Sequence, residues 1–310
     1  MLYVADTNNQ TMRKVSDEGV VTTIAGSAGE DGSTDGIGRA ARFSYPQGIA
    51  VDSTGTVVVS DTYNHTLRSI SPNGVVSTLA GSAGNFGSLD GVRSAARFSH
   101  PQGLVTDAAR NIYVADAGNG LLRKITPTGN VTTLAGSLAN YGLQDGTGPA
   151  AGFEGLSNLA IDAAGTLYGA DQYAQRVRRI TPQGVVTTLP VNAPVAGQPQ
   201  VKMPLGITVD PAGTLSVTGQ FGVHVITGET MLTTLAGMEL EQGLVNGNGA
   251  KARFGSLHGV TSDLSGNWYV ADTPNHLIRK ITAAGVVSDL AGNGKPGGVD
   301  GTGAGASFNY

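Results

Sequence analysis

Residues 3–26 read YVADTNNQTMRKVSDEGVVTTIAG, and this pattern returns five more times along the chain. The later copies occupy residues 58–81, 113–136, 168–190, 216–237 and 269–292. The positions that close the six copies are separated by 55, 55, 54, 47 and 55 residues, so the fifth copy is the shortened one. A fixed period of this length is typical of a repeat architecture, in which each copy is one supersecondary unit.

Each copy contains four short segments that resemble β-strands. In the second copy they cover residues 48–52, 57–60, 67–70 and 75–79, and they are rich in β-branched side chains, which favour strands. The last two are joined by Ser71-Pro72-Asn73-Gly74, in which Pro presets φ and Gly takes a left-handed conformation. Short strands with closely spaced turns predict an all-β fold. Six such units predict a six-bladed β-propeller of four-stranded antiparallel blades.

Composition and charge exclude several other classes. The 310 residues include 47 Gly, and 14% of them are charged, which fits neither a coiled coil nor a highly charged disordered chain. The formal net charge of −4 does not favour binding to nucleic acid or to an anionic membrane. The absence of cysteine excludes disulfides and thiolate zinc sites. No apolar run reaches the roughly 18 residues that a membrane span needs.

The loop after the second strand of each copy carries a family resemblance. Residues 269–281 read YVADTPNHLIRKI, and residues 64–67 read NHTL. These segments resemble the NHL repeat, which is named after its Asn-His-Leu triplet, and the resemblance covers practically the whole chain. It implies a six-bladed propeller, in agreement with the number of copies, and a module that mostly serves recognition.

We expect residues 1–310 to form one propeller. The repeats fall at about 1–26, 43–81, 98–136, 153–190, 201–237 and 254–292, and residues 293–310 lead back to the first blade. The chain ends at Tyr310, one residue before the Pro that follows Phe43-Ser44-Tyr45 in the second copy. The innermost strand of the first blade is therefore missing from the sequence. We expect that the chain is a fragment of a longer one, or that another segment replaces this strand.

Five Asp–Arg pairs recur at a spacing of seven residues, and the shortened fifth copy lacks both members. It has Gly219 in place of the Asp and His224 near the place of the Arg. Because both are lost together, we interpret them as partners in structural ion pairs rather than as repeated active sites. The predicted pairs are Asp6–Arg13, Asp61–Arg68, Asp116–Arg123, Asp171–Arg178 and Asp272–Arg279.

The long Gly-rich connections between copies indicate a candidate ligand face. In a propeller they lie on the same face as the loops between the second and third strands, and an uneven polar ring at a channel mouth is the default ligand site. Two alternatives to ligand binding stay open. Arg42 and Arg97 could pair with Asp35 and Asp90, and His65 and His276 could brace their loops. The candidate binding residues are Tyr45, Gln47, His100, Gln102, Ser157 and His258 near the channel, with Asn64, His65, Asn275, His276, Arg42 and Arg97 in the loops further out.

These features favour a non-enzymatic binding scaffold for a protein, peptide or glycan ligand on the loop-rich face. One alternative is a metal-dependent lyase or lactonase-type hydrolase in the central channel, which requires several converging ligands. The starts of the inner strands offer only His258 for that purpose. A third interpretation is RNA binding through the arginines of the connections, which the acidic balance opposes.

No cofactor is predicted, and calcium in the channel or in the acidic loop of residues 30–35 is the alternative left open. We expect a monomeric propeller, alone or within a multidomain chain, with no membrane span and no nucleic acid partner. The low charge and the abundance of Thr and Gly suit a secreted or cell-envelope bacterial protein.

Overall fold

A computed structural model describes residues 1–192, 201–238 and 240–309. Within these residues, 28 strands form six antiparallel sheets, and each sheet is one blade of a β-propeller. The predicted all-β, six-bladed architecture is therefore confirmed. Tyr310, at which the chain was expected to lead back to the first blade, lies outside the described residues.

The strands follow the repeats in chain order. Blade 1 begins with β1 (Leu2–Asp6), β2 (Thr11–Val15) and β3 (Val20–Ala25). Blade 2 contains β4 (Gly36–Ile37), β5 (Pro46–Val51), β6 (Val57–Asp61), β7 (Thr66–Ile70) and β8 (Val75–Gly81). Blade 3 contains β9 (Gly91–Val92), β10 (Pro101–Thr106), β11 (Ile112–Asp116), β12 (Leu121–Ile125) and β13 (Asn130–Ala135).

The second half of the chain repeats this plan. Blade 4 contains β14 (Gly146–Thr147), β15 (Leu156–Ile161), β16 (Leu167–Asp171), β17 (Arg176–Ile180) and β18 (Val185–Thr188). Blade 5 contains β19 (Ile207–Val209), β20 (Leu215–Thr218), β21 (Gly222–Thr227) and β22 (Met231–Gly237). Blade 6 contains β23 (Gly247–Asn248), β24 (Leu257–Ser262), β25 (Trp268–Asp272), β26 (Leu277–Ile281) and β27 (Val286–Ala291). The last strand, β28 (Gly301–Thr302), belongs to blade 1.

Three-residue 3₁₀ turns lie in the loops, and no α-helix occurs among the described residues. Accordingly, no helix in this part of the chain has the length and hydropathy that crossing a membrane requires. One group of turns follows the second strand of a blade, at Thr7–Asn9, Thr62–Asn64, Ala117–Asn119 and Thr273–Asn275. The others are Gly38–Ala40, Arg93–Ala95, Gly148–Ala150, Pro190–Asn192, Gly249–Lys251 and Gly303–Gly305.

The connections between blades add an outer strand that the sequence pattern did not reveal. In blade 3 the strand order is β10-β11-β12-β13-β9, so the connection after β8 first pairs with the outer edge of the next blade and then reaches its inner strand. The added strand is only two residues long, which explains why it left no periodic signal. In blade 1 the same place is taken by β28, which pairs with β3 and brings the end of the described chain back to its beginning.

The hydrophobic core consists of six clusters, one at each boundary between neighbouring blades. Met12 of blade 1, for example, packs with Val59 of blade 2, and Val15 of blade 1 packs with Ile278 of blade 6. Each sheet therefore buries both faces, as its doubly apolar strands require. The cluster between blades 6 and 1 closes the ring.

The inner strands of neighbouring blades pack closely around the axis. A Cβ atom on Gly48 of β5 would lie 2.1 Å from the carbonyl oxygen of Gln102 in β10, and one on Gly206 would lie 2.1 Å from the carbonyl oxygen of His258. Only glycine fits at such a backbone contact. In blade 1, β1 pairs with β2 and has no second strand partner among the described residues. The described residues therefore provide five inner strands for six blades.

Candidate functional site

Strand register places the candidate residues on one face of the propeller. In blade 2, Pro46 at the start of β5 pairs with Asp61 at the end of β6, and Thr66 pairs with Gly81 at the end of β8. The start of each inner strand, the loop after the second strand and the start of the interblade connection therefore share one end of the blade. We call this end of the propeller the loop face.

Below the loop face, each predicted Asp carboxylate lies against the Arg seven residues later. The pairs are antiparallel neighbours, because Asp61 ends one strand and Arg68 lies in the next. All five guanidinium groups are fully buried. The NH1–Oδ2 distances are 2.6 Å for Asp6–Arg13, 2.7 Å for Asp61–Arg68, 2.8 Å for Asp116–Arg123, 2.9 Å for Asp171–Arg178 and 2.7 Å for Asp272–Arg279.

The buried carboxylate of Asp61 is surrounded by donors. Its Oδ1 accepts from the Ser44 amide at 2.6 Å, and its Oδ2 accepts from Asn64 at 2.8 Å and from Arg68. Burial raises the pKa of Asp61 to about 6, against the opposing effect of these donors. The carboxylate is fully buried and accepts three hydrogen bonds within the framework, so it does not face a ligand.

The structure corrects the suggested pairing of Arg42 with Asp35 and of Arg97 with Asp90. Asp35 accepts from Arg68 NH2 at 2.6 Å, because the Arg68 guanidinium extends past the ring of Phe43 into the connection. Arg42 instead forms an ion pair with Glu30 and donates to two carbonyls of its own loop. Arg97 likewise donates to carbonyls of its own loop, so both guanidinium groups are held within their own connections.

The two candidate asparagines also belong to the framework. Asn64 donates to Asp61 and to the Gly32 carbonyl at 2.7 Å, and Asn275 donates to Asp272 and to the Gly243 carbonyl at 3.0 Å. Each amide thereby ties the loop after the second strand to the preceding interblade connection. Their donor groups are used within the fold, which gives both residues a bracing role, and their contact with a ligand stays a prediction.

The histidine that follows Asn64 links one blade to the next. His65 Nδ1 accepts a hydrogen bond from the backbone amide of His100 at 3.2 Å. Burial, together with the neighbouring His100, lowers the pKa of His65, which favours the neutral ring that this bond needs. His276 occupies the matching place in blade 6, with the same left-handed backbone at φ of 52°, and it has interaction partners within the fold.

Five aromatic rings meet on the loop face at blades 2 and 3, and we call them the aromatic cluster. Tyr45 and Tyr63 have centroids 4.6 Å apart, and Tyr63 contacts His100 edge-on at 5.5 Å. His65 contacts both His100 and Phe86. Tyr45 and His100 hold left-handed φ values of 46° and 47°, a conformation that side-chain-bearing residues adopt rarely and that concentrates at functional sites.

A pocket of about 220 Å³ opens next to the aromatic cluster, between blades 3 and 4. We call it the interblade pocket, and His100 belongs to both features. Gln102 was a sequence candidate as well, whereas the remaining lining residues were missed. The full lining is His100, Gln102, Ala117, Gly118, Tyr141, Glu154, Gly155, Gln172 and Tyr173.

The other channel candidates do not converge. Gln47 is exposed, and Ser157 donates its hydroxyl to the carbonyls of Ala170 and Leu205 at 3.1 Å each. Burial lowers the pKa of His258. Among the described residues, no three His, Asp or Glu side chains are grouped so that they could hold a metal ion.

Comparisons with known proteins agree with the repeat pattern. A family model described as the NHL repeat matches residues 43–68, which run from Phe43 through the Asp61–Arg68 hairpin. NHL repeat-containing protein 2 of Bos taurus is 35% identical over 132 residues, an alignment that covers 39% of this chain. These matches support an NHL-repeat β-propeller. The match covers only 18% of the length of the bovine protein.

Solved propellers share the fold of this NHL chain at low identity. A Bacteroides thetaiotaomicron protein of unknown function aligns with a TM-score of 0.71 at 22% identity, covering 93% of this chain and 68% of that one. A virginiamycin B lyase from Staphylococcus aureus aligns with a TM-score of 0.57 at 13% identity, covering 91% and 77%. A gluconolactonase from Xanthomonas campestris aligns with a TM-score of 0.56 at 13% identity, covering 85% and 78%. The NHL propeller fold supports a binding scaffold, and its neighbours include enzymes.

Proposed function

We propose that this NHL propeller is a non-enzymatic binding scaffold that recognises a protein, peptide or glycan ligand on its loop face. The observation that carries this proposal is the aromatic cluster, in which Tyr45 and His100 keep left-handed backbones while their rings meet those of neighbouring loops. Such backbones cost free energy and persist where the surrounding structure enforces them. Met203 has the same backbone, with φ of 50°, at the matching position of blade 5. The conformation therefore belongs to the repeat, and in blades 2 and 3 it presents exposed aromatic rings.

Among the described residues, the opposite face has no comparable cluster of aromatic rings. It carries short turns that repeat from blade to blade, such as residues 71–74 and 126–129, in which the amide of the closing Gly donates to the first residue of the turn. Recognition surfaces are enriched in Tyr and in other aromatic side chains that combine an apolar body with a polar tip. The uneven loop face therefore suits ligand binding better than the regular turn face does.

A lyase or lactonase-type hydrolase that acts with a metal in the channel is the second candidate. It is favoured by the fold likeness to the virginiamycin B lyase and the gluconolactonase, although fold likeness alone does not transfer chemistry. Elemental analysis of the purified chain separates the two candidates. One equivalent of a bound divalent metal that survives dialysis would favour the enzyme, and its absence would favour the scaffold.

An array of peptides and glycans tests the scaffold directly. The full chain is compared with a variant in which Tyr45, Tyr63, Tyr141 and Tyr173 on the loop face are all changed to Ala. The control is Leu264→Ala, because Leu264 is 92% exposed in a turn of the opposite face. We expect the four-tyrosine variant to lose binding at least tenfold and the control to retain it. Binding that is lost in the control and kept in the loop-face variant would refute the proposal.

A further inference from the structure

Two glycines line the interblade pocket at repeated positions that hold bulkier residues in other blades. Gly118 stands where blade 2 has Tyr63, and a Cβ there would lie 2.5 Å from the Ser99 hydroxyl. Gly155 stands where blades 2 and 3 have Tyr45 and His100. The space beside these glycines is taken by Ser99 and by the Tyr173 ring, and both glycines form part of the pocket wall. The wall thus contains residues that break the repeat pattern, which is expected of a site rather than of the framework.

Two tyrosines border this pocket. Tyr173 is 67% exposed, and its ring covers Gly155 so closely that a Cβ on that glycine would lie 2.4 Å from the Tyr173 Cδ2. Tyr141 is also exposed, and its hydroxyl donates to the backbone carbonyl of Glu154, which fixes the position of its ring. The Tyr141 ring is thus held in place before any ligand arrives, which lowers the entropy cost of binding.

The polar groups of the pocket are neutral amides and one carboxylate. The side-chain amides of Gln102 and Gln172 and the carboxylate of Glu154 make no hydrogen bond or ion pair with another described residue. Each Gln amide offers two donors and one acceptor, and the carboxylate offers acceptors only. No Lys or Arg lines the pocket. The pocket thus combines aromatic faces with both donors and acceptors but has no cationic group for phosphate or another anion.

This combination matches one class of ligand. A pyranose ring presents C–H groups on its faces, which pack on an aromatic ring, and hydroxyls around its edge, each of which both donates and accepts. The volume of about 220 Å³ is below the roughly 300–1,000 Å³ of pockets for drug-sized ligands, so one sugar residue fits and a longer chain must extend along the loop face. We propose that the interblade pocket binds a single neutral pyranose residue of a glycan; this narrows the ligand class of the proposed function and rests on it.

The full chain is titrated with the methyl glycosides of glucose, galactose, mannose and N-acetylglucosamine. Binding is measured by saturation-transfer NMR and by calorimetry. The variants are Tyr173→Ala and Gln102→Ala, with Leu264→Ala as the control because Leu264 is 92% exposed in a turn of the opposite face and does not line the pocket. Circular dichroism checks that each variant is folded. We expect at least one glycoside to bind, a loss of affinity of tenfold or more in both pocket variants, and a change below twofold in the control.

Two results would overturn this inference, and they differ in what they imply for the proposed function. If no glycoside binds while an array peptide binds and depends on the loop-face tyrosines, the sugar assignment fails and the scaffold proposal stands. If a glycoside binds with equal affinity to wild type, Tyr173→Ala and Gln102→Ala, the pocket is not its site. If that binding is lost in Leu264→Ala instead, the loop-face proposal fails as well.

Discussion

His65 Nδ1 accepts a hydrogen bond from the backbone amide of His100, 3.2 Å away, across the boundary between blades 2 and 3. One blade earlier, Gln10 Oε1 accepts from the backbone amide of Tyr45 at 2.7 Å in the same arrangement. A His and a Gln thus perform one structural task at equivalent positions. The task is to anchor the residue that precedes each inner strand, and in blades 2 and 3 these anchored residues are Tyr45 and His100 of the aromatic cluster.

Replacing His65 by Ala should destabilise the fold, because it leaves the His100 amide without its acceptor. The expected loss in the free energy of unfolding is about 1–3 kcal/mol, measured by urea denaturation at pH 7.5. His65→Gln is the matched control, since Gln10 already makes this bond in blade 1. If His65→Gln is as unstable as His65→Ala, the hydrogen bond is not what makes His65 important.

The same bond predicts a pH dependence. Burial lowers the pKa of His65 in the folded state, so the unfolded chain binds the proton more readily. The stability that His65 contributes is therefore lost as the pH falls from the pKa of the unfolded chain towards the lower pKa of the folded one. Between pH 7.5 and pH 5, wild type should therefore lose more stability than His65→Gln. Chemical denaturation at several pH values measures this difference. Equal losses in the two proteins would contradict the assignment.

The buried Asp61–Arg68 pair should be far more sensitive than an exposed pair. Asp61→Asn removes the charge opposite a fully buried guanidinium and turns an amide donor towards the donors of Asn64 and Arg68. Breaking a buried pair in this way costs about 3–5 kcal/mol. The comparison is Asp17→Asn, whose carboxylate is 72% exposed beside the amino terminus and whose pair is worth at most about 1 kcal/mol. Similar losses in thermal or urea unfolding would rule out the framework role.

Two glycines at one repeat position should respond differently to the same substitution. A Cβ on Gly48 would lie 2.1 Å from the Gln102 carbonyl oxygen, whereas one on Gly259 would meet no atom within 4 Å. Gly259 faces blade 1, where the described residues provide no inner strand. Gly48→Ala should therefore cost about 1–3 kcal/mol through overpacking, while Gly259→Ala should leave the midpoint of urea unfolding nearly unchanged. A larger loss for Gly259→Ala would mean that another segment occupies that place.

The sequence was sufficient to predict what repeats. The spacing of seven between Asp61 and Arg68 is the geometry of one hairpin, so it could be interpreted without coordinates. The same spacing misled for Asp35 and Arg42, because both lie in a connection whose path depends on the next blade. Asp35 is reached instead by Arg68, which lies 33 residues away in sequence. This contact recurs as Arg123–Asp90 and Arg178–Asp145. The sequence shows the repeated Asp and Arg residues but does not show which of them pair.

The candidate site was only partly predictable for a related reason. Tyr45, His100 and Gln102 occupy repeated positions and could be identified by alignment of the copies. Tyr141 lies in a connection, and the pocket that it borders is also lined by Gly118 and Gly155, where side chains are absent. A missing side chain at a repeated position is a signal that the sequence carried, namely a Gly where other copies have Tyr or His. This Gly could be interpreted only after the structure showed that the residues around the pocket share one face of the propeller.

Hydrogen–deuterium exchange on the full chain, with and without the array ligand that binds most tightly, tests the central claim most directly. If the loop face is the recognition surface, protection will appear in peptides that cover residues 117–120, 139–143, 153–156 and 172–175, while the turns at residues 53–56 and 71–74 exchange as before. Protection confined to those turns on the opposite face would contradict the account.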